Sequence, residues 1–245
     1  MDRPHVLLAG LVLLTVSCSA NRGVVPGAST GISPTSYSAL PASALGTQRL
    51  LRAQVRGPEG EASLRIVLRL AAADRYEIDT TDIAGRPVWS LRVDGSRGLL
   101  LDSRNHRYCL LADSVSLPGG LGLSLPLNGV PRLLLGRLPV EAPPGASEVR
   151  QGEDRRWTWT GLDGQLQQWM LWESGQPSVW YLRGNGGRGS SGEKGESVLS
   201  IRSRATQLRW REDLVEPFDD ARFPLHALVP PHDFEEGACN ADDVS

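Results

Sequence analysis

The chain has 245 residues, 40% of them hydrophobic, and a formal net charge of −2. That length fits one all-β domain with flanking segments, and the near-neutral charge excludes a strongly basic nucleic-acid binder. Lys194 is the only lysine. The arginines alternate with apolar residues instead of forming a block, as expected of arginines on the solvent faces of strands.

The start, MDRPHVLLAGLVLLTVSCSANRG, has Arg3, an apolar run over residues 6–16 and small residues around Cys18. This is a secretory signal, too short for a stable membrane span. The string Leu14-Thr15-Val16-Ser17-Cys18 resembles a bacterial lipobox. The resemblance implies a signal peptide over 1–17, cleavage before Cys18 and a lipid on that cysteine. An ordinary cleaved signal with an incidental cysteine is the other reading. Ser19 stands where an aspartate would retain a lipoprotein in the inner membrane, so the implied address is the outer membrane, with the body facing the periplasm.

Residues 18–46, rich in Gly, Pro, Ser and Ala and without periodicity, read as a flexible tether. The folded domain is expected over 47–214. SLRIVLRL puts Leu64, Ile66, Leu68 and Leu70 on one face; RYEIDT does the same with Tyr76, Ile78 and Thr80, and VWSLRV with Trp89, Leu91 and Val93. Such period-2 alternation marks half-buried antiparallel strands. Turn chemistry separates them at Gly57-Pro58-Glu59-Gly60, Gly85-Arg86-Pro87 and Asp94-Gly95. Strands around Leu100 and Cys109 follow, then ADSVSLPGG, which could form a short helix.

LPGGLGLSLPLNGVPRLLLGRLPV, residues 117–140, is unlike the rest: its only charges are Arg132 and Arg137. Prolines and glycines interrupt it too often for a spanning helix. Beyond the proline-rich joint at 141–147, strand signals resume with RRWTWT, QLQQWMLW, SVWYLR, SVLSIR and ATQLRW. About ten strands with few helical patterns predict a strongly curved antiparallel sheet or barrel. Trp89, Trp157 and Trp159 line either an ordinary aromatic core or a ligand cavity. Residues 184–196 read as a polar hairpin loop, and 215–245 as an acidic, proline-broken tail.

Without Cys18, an even pair of cysteines remains, Cys109 and Cys239, in an oxidising compartment. A disulfide between them would tie the tail to the strand around Tyr108; two unpaired thiols are the alternative.

Catalytic signals are weak. Gly187-Arg188-Gly189-Ser190-Ser191-Gly192 matches G-x-G-x-x-G, yet a strand follows it where a nucleotide site needs a helix. His226, His232, Asp233 and Cys239 fit no zinc spacing. Asp79 with Asp82, and Glu153 with Asp154, look like solvated strand ends. No enzymatic activity, metal or cofactor is expected.

LSLPLNGVPRLLLGRLP resembles the middle of the LolB family, outer-membrane lipoproteins that accept other lipoproteins from the periplasmic carrier LolA. Leu125-Pro126, Gly129 and Leu135-Gly136 through Pro139 stand at the corresponding places, and the order of features agrees over residues 48–212. The resemblance implies a mainly β fold: a curved antiparallel sheet forming an incomplete, half-open β-barrel with a short helical lid, as in LolA and LolB. Leu123, Leu125, Leu127, Val130, Leu133, Leu134, Leu135 and Leu138, with Trp89, Trp157 and Trp159, would then form the lid and the lipid-binding wall. Ile83, on the turn Asp82 to Gly85, would sit on the loop that inserts cargo into the membrane; a residue that packs under the turn is the other reading. The implied partners are acyl chains of lipoproteins or other lipids, a LolA-like periplasmic carrier and the membrane, with no nucleic acid and a monomeric state. A carrier of a different envelope lipid or glycolipid, and an assembly lipoprotein that docks a protein, are the alternatives.

Overall fold

The computed structural model describes residues 38–237, apart from 59, 117–122, 143–145, 152–154, 163–164, 174, 185–197, 204–205 and 222–223. The expected signal peptide, Cys18, the expected tether up to residue 37, the glycine-rich loop with Lys194, the Glu153–Asp154 pair and Cys239 lie outside the described residues. The end of the tether packs onto the body. A 3-10 turn at Ala42–Ala44 buries Ala44 completely, and Thr47 Oγ1 donates to the Ala44 carbonyl at 2.6 Å.

Alternation of apolar and polar residues produces a first antiparallel meander: β1 (Thr47–Gly57), β2 (Gly60–Ala72), β3 (Arg75–Asp82), β4 (Pro87–Asp94), β5 (Arg97–Asp102) and β6 (Arg107–Ala112). A two-strand ladder of β7 (Ser114–Ser116) and β8 (Ser124–Pro126) and a short helix α1 (Gly129–Leu134) come next. A second meander then runs through β9 (Glu148–Gln151), β10 (Arg155–Leu162), β11 (Gln165–Glu173), β12 (Gln176–Gly184), β13 (Val198–Arg202) and β14 (Gln207–Pro217). Residues 114–116 form a strand where the sequence suggested a short helix. Val115, at 2% exposed, is buried by pairing with Leu125, and this tertiary contact overrides the local signal.

Because β14 pairs with β1, the two meanders fuse into a single 13-stranded sheet in the order β15-β6-β5-β4-β3-β2-β1-β14-β13-β12-β11-β10-β9, where β15 is Glu235–Glu236. Its ends do not meet among the described residues, so it is a mainly β, unclosed sheet. Open sheets of more than about ten strands curl. Here the curling gathers the inward residues of both meanders into one core cluster, from Leu68 and Ile78 to Trp169 and Ile201.

This topology imposes two crossings. The chain leaves the first meander at β6, near one end of the sheet, and enters the second at β9, at the other end, so residues 113–147 must cross a face. They cross the inner one. After β14 the tail must return from mid-sheet to pair with β6, and it does so over the outer face. Asp220 meets Arg75 at 2.9 Å, His226 Nδ1 lies 2.6 Å from Glu77 Oε1, and Arg92 donates to the carbonyls of Ala227 and Val229. The tail ends as β15, parallel to β6, with the Gly237 N–H donating to the Tyr108 carbonyl at 2.8 Å. Under this strap Glu77 is 1% exposed, with Arg69 and Arg92 each at 3.8 Å.

Candidate functional site: the inner face and the segment that crosses it

The crossing segment is apolar because its surroundings are. Leu123, Leu125, Leu127, Val130, Leu133, Leu134 and Leu138 are all buried in the core cluster, and Leu135 packs against it half-buried. Helix α1 is a turn and a half long. Pro131 lies in its first turn, where a missing N–H costs nothing. It ends in a Schellman pattern: the Gly136 N–H bonds to Leu133 and the Arg137 N–H to Arg132, with Gly136 at φ +70. At the other end a Cβ on Gly129 would lie 2.3 Å from the Pro139 carbonyl oxygen, so glycine is what lets the returning chain close over the helix.

A segment in a core lacks neighbouring strands to satisfy its carbonyls, and an unpaired one is costly. Side chains from the sheet supply the donors. Tyr76 Oη donates to Leu127 O at 2.5 Å, Trp210 Nε1 to Leu134 O at 2.9 Å, and Arg183 to Gly136 O at 3.2 Å. The segment is thus fastened at three carbonyls to β3, β14 and β12.

The tryptophans divide between the two faces. Trp157, Trp169, Tyr181 and Trp210 form a continuous inward ring stack, with successive centroids 5.0, 5.5 and 6.3 Å apart, and Trp159 is buried on the same face. Trp89 is half-buried against the cluster. Trp172 and Trp180 face outward, where Arg156 and Arg202 lie over their rings. Trp169 and Tyr181, given no special weight in the sequence, are central to this stack.

Between the crossing segment and the sheet lies a cavity of about 360 Å³. Its apolar walls include Leu51, Leu134, Leu135, Leu199 and Trp210, and Arg49, Arg137, Arg183 and Glu212 add charge. Arg49 is bridged to Glu212. Burial, and then the neighbouring Arg183 guanidinium, push Arg137 below the usual arginine value. Burial pushes the Tyr181 phenol up to about 12, against the opposing pull of Arg183 and Arg137. Trp169 Nε1 has no hydrogen-bond partner among the described residues. A cavity with apolar walls on one side and charged side chains on the other suits an amphiphile.

Arg132 is anomalous. Its guanidinium is buried within the crossing segment, meets Glu141 at 3.4 Å, and leaves Nε and Nη1 without partners among the described residues.

The remaining candidates have local roles. Asp79 accepts from Arg69 at 2.6 Å and from Ser90 at 2.8 Å. The Asp82 carboxylate takes the N–H groups of Ala84 and Arg86 and the Arg86 side chain, which hold it below the usual carboxylate range. The turn so organised presents Ile83 at 71% exposure. Cys109 is disulfide-bonded, and its partner lies outside the described residues. Among the described residues no group of three or more His, Cys, Asp or Glu could hold a metal, and no helix is long and apolar enough to cross a membrane.

No family model matches the chain, and no curated protein matches it. Among solved structures, it is similar to a LolA superfamily protein from Nitrosomonas europaea, with 10% identity and a TM-score of 0.45, over 76% of this chain and 91% of that one. It is also similar to a domain from Vibrio parahaemolyticus named for outer membrane lipoprotein sorting, with 6% identity and a TM-score of 0.39, over 73% and 88% of the two chains.

Proposed function

We propose that the protein is a non-enzymatic lipid carrier of the cell envelope, anchored through a lipid on Cys18, that receives lipoproteins by their acyl chains and passes them to the outer membrane. The carrying observation is the apolar crossing segment, fastened over the inner face by three side-chain hydrogen bonds beside a cavity of about 360 Å³.

The energetics favour such an arrangement. Burying a methylene is worth about 0.8 kcal/mol, so exposing a sixteen-carbon chain to water costs on the order of 12 kcal/mol. A carrier therefore needs a dry site that is closed when empty. Here the leucines of 123–138 fill the interior in the absence of cargo, and a chain entering beside Leu134 and Leu135 takes over their contacts. Three hydrogen bonds, each worth about 1 kcal/mol net, are a barrier that such a gain overcomes.

The resemblance of residues 123–139 to the LolB family supports lipoprotein acyl chains as the cargo. Arg137 and Arg183 beside the cavity favour, as the second reading, an envelope lipid with an acidic head. Native mass spectrometry of the protein purified without detergent tests both. Bound acyl species identify the cargo class. A clean apo mass with no uptake of a fluorescent fatty acid rejects the carrier function in favour of a protein-docking role.

A further inference from the structure

The outer face is divided. The tail straps β3, β4 and β6, whereas the sector formed by β13, β14, β1 and β2 carries a cleft of about 620 Å³ lined by Arg52, Arg65, Arg209 and Arg211, with Ile83 and Val198 among its apolar members. Register places Arg211, Arg52 and Arg65 directly opposite one another on three successive strands. Paired residues on neighbouring strands have Cα atoms about 5 Å apart, and like charges so placed are destabilising. Asp213 relieves part of this, bridging Arg52 and Arg211. Arg65 and Arg209 are exposed and make no ion pair or hydrogen bond among the described residues. Gln54 and Ser63 add neutral hydrogen-bonding groups.

Such a cleft attracts phosphate, which guanidinium groups bind with two parallel hydrogen bonds. Its apolar edge narrows the choice of phosphate source. Ile83 is held at 71% exposure by the Asp82 turn, beside the arginines. A nucleic acid would want an exposed aromatic platform, but Trp210, the aromatic residue in the lining, is 2% exposed and faces the core. Charge next to a projecting apolar side chain matches the boundary between lipid headgroups and acyl chains.

We propose that this outer-face cleft docks the protein on an anionic phospholipid bilayer, with headgroup phosphates against Arg52, Arg65, Arg209 and Arg211 and Ile83 entering the acyl layer. Docking here does not depend on the carrier reading, because it uses the opposite face of the sheet from the cavity.

The test is co-sedimentation of the full chain with phosphatidylcholine vesicles, with and without phosphatidylglycerol, at low and high salt. The N-terminal segment is identical in wild type and variants, so a change in the phosphatidylglycerol increment on substitution reports the cleft. That increment is expected to fall roughly thirtyfold in R65Q/R209Q, from the loss of two cations near an anionic surface. Because both side chains are exposed and make no ion pair or hydrogen bond among the described residues, the thermal melt of this variant should match wild type. I83S is expected to weaken binding while leaving the salt dependence intact. Equal wild-type affinity for the two vesicles, or an unchanged increment in R65Q/R209Q, overturns the proposal. Full competition by soluble glycerol phosphate also overturns it, by showing that the cleft takes a free phosphate.

Discussion

The phenol of Tyr76, buried on β3, donates a 2.5 Å hydrogen bond to the carbonyl of Leu127, the residue that leads into helix α1. This contact joins the first meander to the segment that must cross the inner face, and Trp210 makes the equivalent contact to Leu134 from the second half of the sheet. The crossing segment is thereby core held at fixed points: its leucines supply apolar contact, and its carbonyls supply the attachment points.

Removing either attachment should loosen the segment. Tyr76→Phe removes one of two donors to the Leu127 carbonyl, which keeps the Val130 N–H, at an expected cost of about 1 kcal/mol. Trp210→Phe removes the donor to the Leu134 carbonyl and also empties space in the ring stack, at an expected cost of about 3 kcal/mol. Urea unfolding measures the loss, and stopped-flow uptake of a fluorescent fatty acid should become faster in both variants. Unchanged stability would show that water replaces these donors.

Leu134 is a cavity wall and 7% exposed. Leu134→Ala should destabilise by about 2–5 kcal/mol, yet raise the amount of fatty-acid probe bound by enlarging the cavity. A variant that loses stability with no gain in binding would place the probe elsewhere.

Gly129 has no room for a methyl group, because the added Cβ would meet a backbone oxygen that cannot rotate away. Gly129→Ala should lower stability by about 1–3 kcal/mol through a forced backbone shift. Calorimetry reads this as a reduced Tm, with far-UV circular dichroism preserved.

The buried phenols predict an alkaline transition. The folded-state value of Tyr181 is pushed up to about 12, and Tyr76 is also raised by burial. Unfolded tyrosine titrates near ~10. A raised folded-state pKa means that the stabilising contribution is complete below the unfolded value and declines as pH climbs from there through the folded one. Stability to urea should therefore fall between pH ~10 and ~12, while ultraviolet titration shows one phenol ionising near the top of that range and a second ionising only on unfolding.

The strap brings Gly237 against Tyr108, which in the sequence stand two residues before Cys239 and one before Cys109. We propose Cys239 as the disulfide partner of Cys109. Reduction, or Cys239→Ser, should lower stability by about 2–4 kcal/mol and expose the tail beyond Pro217 to limited proteolysis. Peptide mapping that pairs Cys109 with Cys18 would refute the assignment.

Alternation in SLRIVLRL, RYEIDT and VWSLRV determined the strands and their buried faces directly, because a residue's face in a sheet follows from period 2 alone. The composition of residues 123–138 likewise determined their burial, since no solvated arrangement suits so many leucines. Sequence did not decide which tryptophans point inward, because Trp169 and Trp172 lie three apart on one strand and the choice rests on the register with β10 and β12. Nor did it mark the tail as a strap: residues 218–237 have no periodicity and are held by single contacts such as Asp220–Arg75 and His226–Glu77, which exist only once β14 has paired with β1. The arginine cleft belongs to the same class. Arg52, Arg65, Arg209 and Arg211 are scattered in the chain as ordinary solvent-facing residues, and the pairing of β2, β1 and β14 sets them side by side.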